Sequence, residues 1–188
     1  MIVYLHGFNS SPQSHKALLL GRYLAERGLA SRYACPALPP LASEAIREIE
    51  RSLSTRAVCF VGSSLGGFYA TYLAEKHAAK AVLINPAIEP HVGLRPYLGA
   101  QKNLHTGEPY ELTEAHLREW EKLAMPRITP ERYLLLVETG DEVLDYRQAV
   151  LRYTGCEQVV MEGGDHSLQS FPQNLARIVE FAGHAALV

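Results

Sequence analysis

A chain of 188 residues, 47% apolar and 20% charged, is long enough for one globular domain that buries about 70% of its unfolded surface. Its net charge of −2 gives no electrostatic case for a nucleic-acid or anionic-membrane partner. Three cysteines without paired spacing, Cys35, Cys59 and Cys156, argue against a disulfide framework or zinc site and point to a reducing, cytoplasmic setting.

The first strand is Ile2-Val3-Tyr4-Leu5, which leads into the loop His6-Gly7-Phe8-Asn9-Ser10-Ser11-Pro12. It begins without a basic leader, and no apolar run along the chain approaches the roughly 18 residues of a membrane span. Ser14 is placed to cap a helix whose apolar positions Ala17, Leu18, Leu20, Leu24 and Ala25 fall at helical spacing, with Gly28 to end it. A second strand is predicted over 31–35, closed by Pro36 and a proline-rich loop. A helix is predicted over 43–53, with Ala45, Ile46, Ile49 and Leu53 on one face.

The third strand, 57–61, turns within about five residues into a helix, and Ser64 stands at the turn. A strand that becomes a helix so abruptly forces its apex into a sparsely populated backbone conformation. Side chains two positions either side would collide there, and Gly62 and Gly66 leave the room. The turn projects the Ser64 hydroxyl off the sheet and points the Leu65 amide at the same space, at the positive end of a helix. Ser63 lacks glycines at those offsets, its neighbours being Val61 and Leu65.

A fourth strand is predicted over 81–85, a fifth over 133–137 and a sixth over 157–161, with helices over 146–153 and 172–184. Short, apolar, β-branched strands alternating with helices predict a parallel sheet covered on both faces. The alternation breaks between about 87 and 132. That insert shows no strand signal, one helix starting at Thr113, and the single tryptophan, Trp120. It is expected to form a small cap over the carboxyl edge of the sheet, within one domain spanning 1–188.

A serine needs a base within hydrogen-bond reach, and the base needs an orienting carboxylate. In parallel sheets such groups gather at the carboxyl ends of strands. After the fifth strand comes Glu138-Thr139-Gly140-Asp141, and after the sixth comes Glu162-Gly163-Gly164-Asp165-His166. The order Ser64, Asp141, His166 is nucleophile, acid, base. Asp145 is the alternative acid, but it stands farther from the strand end, where it can cap the next helix. A tetrahedral oxyanion would be held by the amides of Leu65 and of Phe8 in the first loop. No histidine has metal-ligand spacing. His6, at the end of the first strand, lies where its loop can approach Ser64.

These motifs, His6-Gly7-Phe8-Asn9-Ser10-Ser11, Gly62-Ser63-Ser64-Leu65-Gly66-Gly67-Phe68-Tyr69-Ala70, Thr139-Gly140-Asp141-Glu142-Val143-Leu144-Asp145-Tyr146 and Gly163-Gly164-Asp165-His166, together resemble the YqiA-like esterases of the α/β-hydrolase superfamily. The resemblance implies a three-layer α/β-hydrolase fold with about six mostly parallel strands in the order 2-1-3-4-5-6. It lacks the two strands that precede the oxyanion-loop strand in larger members. It also implies a hydrolase acting on carboxylic esters or acyl thioesters of small molecules, with Ser64 as nucleophile, Asp141 as acid and His166 as base, and with no metal or organic cofactor. Candidate substrate-pocket residues are Phe8, Tyr69 and, in the insert, Leu94, Tyr97, Leu98 and Trp120. The alternatives are an acyltransferase or peptidase with the same triad, or a non-catalytic binding module on the same fold.

Overall fold

The computed structural model describes residues 1–53 and 58–184. Ala57, the first residue of the expected third strand, lies outside the described residues. In chain order the first half contains β1 (Ile2–Leu5), α1 (His15–Ala25), β2 (Tyr33–Ala34), α2 (Ala42–Ser52), β3 (Cys59–Ser63), α3 (Leu65–His77) and β4 (Lys80–Ile84). The insert contributes α4 (Pro90–Gly93), β5 (Gly99–Lys102), β6 (Pro109–Leu112) and α5 (Glu114–Leu123). The chain then closes with β7 (Tyr133–Glu138), α6 (Tyr146–Arg152), β8 (Glu157–Met161) and α7 (Phe171–Phe181).

Six strands form one sheet in the order β2-β1-β3-β4-β7-β8, and every neighbouring pair is parallel. With the insert's two strands set aside, this is the expected order 2-1-3-4-5-6. Every residue of β1, β3 and β7 is buried, as strands covered on both faces should be. Alternation along β1 divides the interior into two cores. Val3 and Leu5 point to the side of α2, α3 and α5, while Ile2 and Tyr4 point to the side of α1 and α7. Each fully buried leucine or isoleucine on these faces contributes roughly 1.5–3 kcal/mol. The edge strands β2 and β8 are only partly covered. Among the described residues no helix is long and apolar enough to cross a membrane.

Several sequence expectations need correction. The insert does contain strands: β5 and β6 pair antiparallel, from Gly99 opposite Leu112 to Lys102 opposite Pro109. β5 is Gly-Ala-Gln-Lys with no large apolar residue, and the apolar alternation of β6 is only two residues long, Tyr110 and Leu112, too short to announce a strand. The expected second strand shortens to Tyr33–Ala34, because a 3₁₀ turn, Ala30–Arg32, takes its first half. Ser14 does occupy the N-cap of α1, yet its hydroxyl makes no capping bond and is buried without a partner among the described residues.

The insert divides its labour. Helix α5, capped by Thr113 whose amide donates to His116 Nδ1 at 3.1 Å, buries Leu117 and Trp120 in the core beside α2. The β5–β6 hairpin instead lies on the loop after β1. Asn103 Nδ2 donates to the Ser10 carbonyl at 2.9 Å, the Leu104 amide to the Asn9 carbonyl at 3.0 Å, and the Tyr110 hydroxyl to Asn9 Oδ1 at 2.7 Å.

Candidate active site

Ser64 links β3 to α3 with φ 55° and ψ −121°, a conformation that costs on the order of 1–3 kcal/mol and persists only where its surroundings enforce it. The enforcement is steric. A Cβ on Gly62 would stand 2.2 Å from the Gly66 carbonyl oxygen, and one on Gly66 would stand 2.0 Å from that of Leu5. Only hydrogen fits at either position, so β3, the turn and the first turn of α3 close onto β1. The Ser64 amide donates to the Ile84 carbonyl at 3.0 Å, and the Ala87 amide donates to the Ser64 carbonyl at 3.0 Å. Ser64, the expected nucleophile, is thereby fixed to the end of β4.

Across the same rim, Asp141 follows β7 and His166 follows β8. His166 Nδ1 lies 2.8 and 3.0 Å from the two Asp141 carboxylate oxygens. The Asp141 side chain is 1% exposed and the imidazole 23%. Asp141 Oδ1 also accepts the amides of Val143 and Leu144 at 2.9 and 2.8 Å, which fixes the carboxylate plane. Asp145, the alternative acid, turns away: it caps α6 through the Arg147 amide and pairs with the Arg147 guanidinium. With Nδ1 committed to Asp141, Nε2 faces outward from the pair. Neither Nε2 nor Ser64 Oγ carries a hydrogen bond among the described residues.

Sequence reasoning missed the residues that hold the His166 loop. Glu138, the last residue of β7, is 2% exposed. Its carboxylate accepts the amides of Asp165 and Gln169 at 2.9 Å each and that of Ser170 at 2.8 Å. Burial pushes this carboxyl up, but its interactions with Ser170 and with the amides of Asp165 and Gln169 outweigh burial and hold it below the usual carboxylate range. From the other side Lys16 Nζ donates to the Ser167 carbonyl at 2.7 Å. Burial lowers the Lys16 pKa against the opposing pull of Asp165, Glu138 and Asp141. One signal for Glu138 was available: a carboxylate ending the apolar run Leu134-Leu135-Leu136-Val137 has to be satisfied by something close.

The first loop approaches as its motif suggested, since a Cβ on Gly7 would lie 3.3 Å from Ser64 Cβ. His6 is buried and locked into one tautomer. Its Nε2 accepts the Leu38 amide at 3.1 Å, so the proton sits on Nδ1, 3.1 Å from the Gly7 carbonyl oxygen. That bond fixes the Gly7–Phe8 peptide plane and with it the direction of the Phe8 amide. Burial lowers the His6 pKa, which keeps the ring neutral. Among the described residues the Phe8 and Leu65 amides have no backbone acceptor.

A cleft of about 360 Å³, open to solvent, lies between this loop, α3 and the hairpin, with Phe8, Leu65, Tyr69, Asn103 and Tyr110 in its wall. A larger groove of about 880 Å³ runs along another side of α3 from Ala87, past Phe68 and Ile88, to Met125 and Arg152. Of the candidate pocket residues, Tyr97 is 53% exposed, with its ring centroid 6.4 Å from that of Phe8, and Leu98 is exposed beside it. Leu94 is partly buried against the core. Trp120 is fully buried and donates its Nε1–H to the Tyr69 hydroxyl at 2.7 Å. It supports the cleft wall from behind, without lining it.

A model of the Uncharacterised protein family (UPF0227) matches residues 1–183. Among solved structures, α/β hydrolase domain-containing protein 10 from mouse superposes with a TM-score of 0.73 at 15% identity, over 95% of this chain and 87% of that one. A putative hydrolase from Agrobacterium vitis gives 0.72 at 20% identity, over 95% and 85%. The monoacylglycerol lipase of Paleococcus ferrophilus gives 0.65 at 18% identity, over 98% and 94%. At these identities the likeness establishes the α/β-hydrolase fold.

Proposed function

This chain belongs to the uncharacterised protein family UPF0227, the YqiA-like family, and we propose that it is a serine hydrolase that cleaves carboxylic esters or acyl thioesters through an acyl-enzyme on Ser64. The observation that carries this reading is the buried Asp141 carboxylate, 2.8–3.0 Å from His166 Nδ1, on the strand-end rim where the turn presents Ser64.

The chemistry follows from these groups. His166 Nε2 accepts the proton of Ser64 Oγ as Oγ bonds to the acyl carbon, and Asp141 stabilises the imidazolium that forms. The Phe8 and Leu65 amides, the latter at the positive end of the 13-residue α3, receive the developing oxyanion. When the tetrahedral intermediate collapses, its C–O or C–S bond breaks and the imidazolium returns the proton to the departing alcohol or thiol. Water repeats the sequence on the acyl-enzyme and releases the acid. The bond between Ser64 and His166 forms when substrate closes the site, since catalytic hydrogen bonds tighten in the substrate complex. In this reading Phe8, Leu94, Tyr97 and Leu98 border the acyl group, Tyr69 and Trp120 back the cleft, and the enzyme works without metal or organic cofactor. It is a cytoplasmic protein with no nucleic-acid or membrane partner.

The test is a panel of p-nitrophenyl esters and acyl-CoA thioesters of graded chain length, run beside Ser64→Ala. Hydrolysis of at least one series by the wild type, abolished in the variant, is the expected result. Turnover unchanged by the substitution would reject the mechanism. Consumption of acyl donor only when an alcohol or amine acceptor is added would make the protein an acyltransferase.

A further inference from the structure

We infer that Asn85 is the positioning residue that holds the base loop in register with the nucleophile, an assignment that rests on the hydrolase reading above. Asn85 follows β4, is 2% exposed and has φ 38°, in the left-handed region that asparagine tolerates better than other side-chain-bearing residues. Its backbone amide donates to the Leu136 carbonyl at 3.0 Å, which extends the sheet toward the strand carrying the acid. Its side chain leaves the ladder and crosses to the histidine loop. Nδ2 donates to the carbonyls of Asp165 and His166, both at 3.1 Å, and Oδ1 accepts the Glu138 amide at 3.1 Å. Two carbonyls on one side and an N–H on the other leave only one orientation for the carboxamide, and both of its N–H donors are used.

The residue before it, Ile84, accepts the Ser64 amide at 3.0 Å. One dipeptide, Ile84-Asn85, therefore bonds directly to the nucleophile, to the strand that precedes the acid and to the residue that supplies the base. None of the three depends on a flexible side chain to find the others. Glu138 completes the arrangement: its amide is held by Asn85, and its carboxylate holds the Asp165 amide beside the base. No other residue type of this size offers two donors and an acceptor in one plane. Aspartate keeps the shape but turns a repelling oxygen toward two carbonyls.

The experiment compares wild type with Asn85→Asp and Asn85→Gly, the glycine removing the side chain without straining the positive φ. Turnover of the best ester, fluorophosphonate labelling rate and thermal stability are measured together with histidine-selective ¹⁵N NMR. A positioning role predicts that kcat and the labelling rate fall about 10- to 100-fold in both variants, with KM nearly unchanged, at temperatures where both are fully folded. It also predicts that the His166 ring passes from a single Nδ1–H tautomer to an exchange-averaged one. Unchanged kcat alongside an unchanged His166 spectrum in folded variants would overturn the assignment, even if both had lost stability. The NMR signal does not depend on turnover. A wild type that neither hydrolyses nor labels, yet loses its fixed tautomer in the variants, would reject the hydrolase reading while supporting this role for Asn85.

Discussion

Replacing Glu138 by glutamine tests the account of the histidine loop where its energetics are most explicit. Oε2 receives two amides and Oε1 receives one. A glutamine has one oxygen and one –NH₂, so in either orientation at least one buried N–H confronts another donor. An unsatisfied donor costs about 1–3 kcal/mol, and the surviving bonds lose charge assistance worth about 1 kcal/mol more. The expected destabilisation is about 2–4 kcal/mol, read from urea unfolding at pH 7. The dependence on pH has a definite sign. The folded-state pKa of Glu138 lies below its unfolded value of about 4.3. The stability it contributes is therefore complete above that value and is lost as pH falls through the lower, folded one. The gap between wild type and variant should be constant from pH 7 to about 5 and narrow below about 4.3. A gap under about 1 kcal/mol at pH 7, or one that widens in acid, would refute the reasoning.

Three further predictions follow from the same geometry. Gly66→Ala, whose added carbon would stand 2.0 Å from the Leu5 carbonyl oxygen, should cost more than about 3 kcal/mol or prevent folding, while Gly93→Ala, with nothing within 4 Å, should stay within about 1 kcal/mol of wild type in the same denaturation assay. Asp141→Asn should lower kcat by about 10⁴, whereas Asp145→Asn should leave ester turnover within about twofold of wild type; the reverse ranking would reassign the acid. Because burial depresses the His6 pKa, the folded state binds fewer protons than the unfolded chain just below about pH 6.5, so stability should rise with pH up to that value. His6→Asn should flatten that rise, and an identical pH–stability slope in the variant would contradict the locked neutral ring.

The parallel sheet was legible because its central strands are short, mostly apolar runs buried on both faces, a pattern that leaves little choice of architecture. The Ser64 turn was legible for a steric reason: two glycines at fixed offsets are the only residues that fit against Leu5 and Gly66. The β5–β6 hairpin was not, since Gly-Ala-Gln-Lys has no large apolar residue and the alternation in Pro-Tyr-Glu-Leu stops after Tyr110 and Leu112. The hairpin is held by its own pairing and by polar bonds to the loop after β1, such as Tyr110 to Asn9, which join residues about a hundred positions apart. Trp120 illustrates a different failure. A lone tryptophan in an insert suggests a ligand surface, but helical spacing with Leu117 turns it into the core, where its N–H finds Tyr69. Asn85 and Glu138 look like ordinary strand-ending polar residues in the sequence. Their work is visible only once the fold brings Asp165, His166 and Ser170 to them.

The most direct test of the Ser64 assignment is intact-protein and peptide mass spectrometry after treatment with a fluorophosphonate. The account predicts one covalent adduct, carried by the peptide that contains Ser64, absent in Ser64→Ala and formed far more slowly in His166→Ala. A folded wild-type protein that takes up no adduct, or one whose adduct maps to another serine and survives Ser64→Ala, would contradict it.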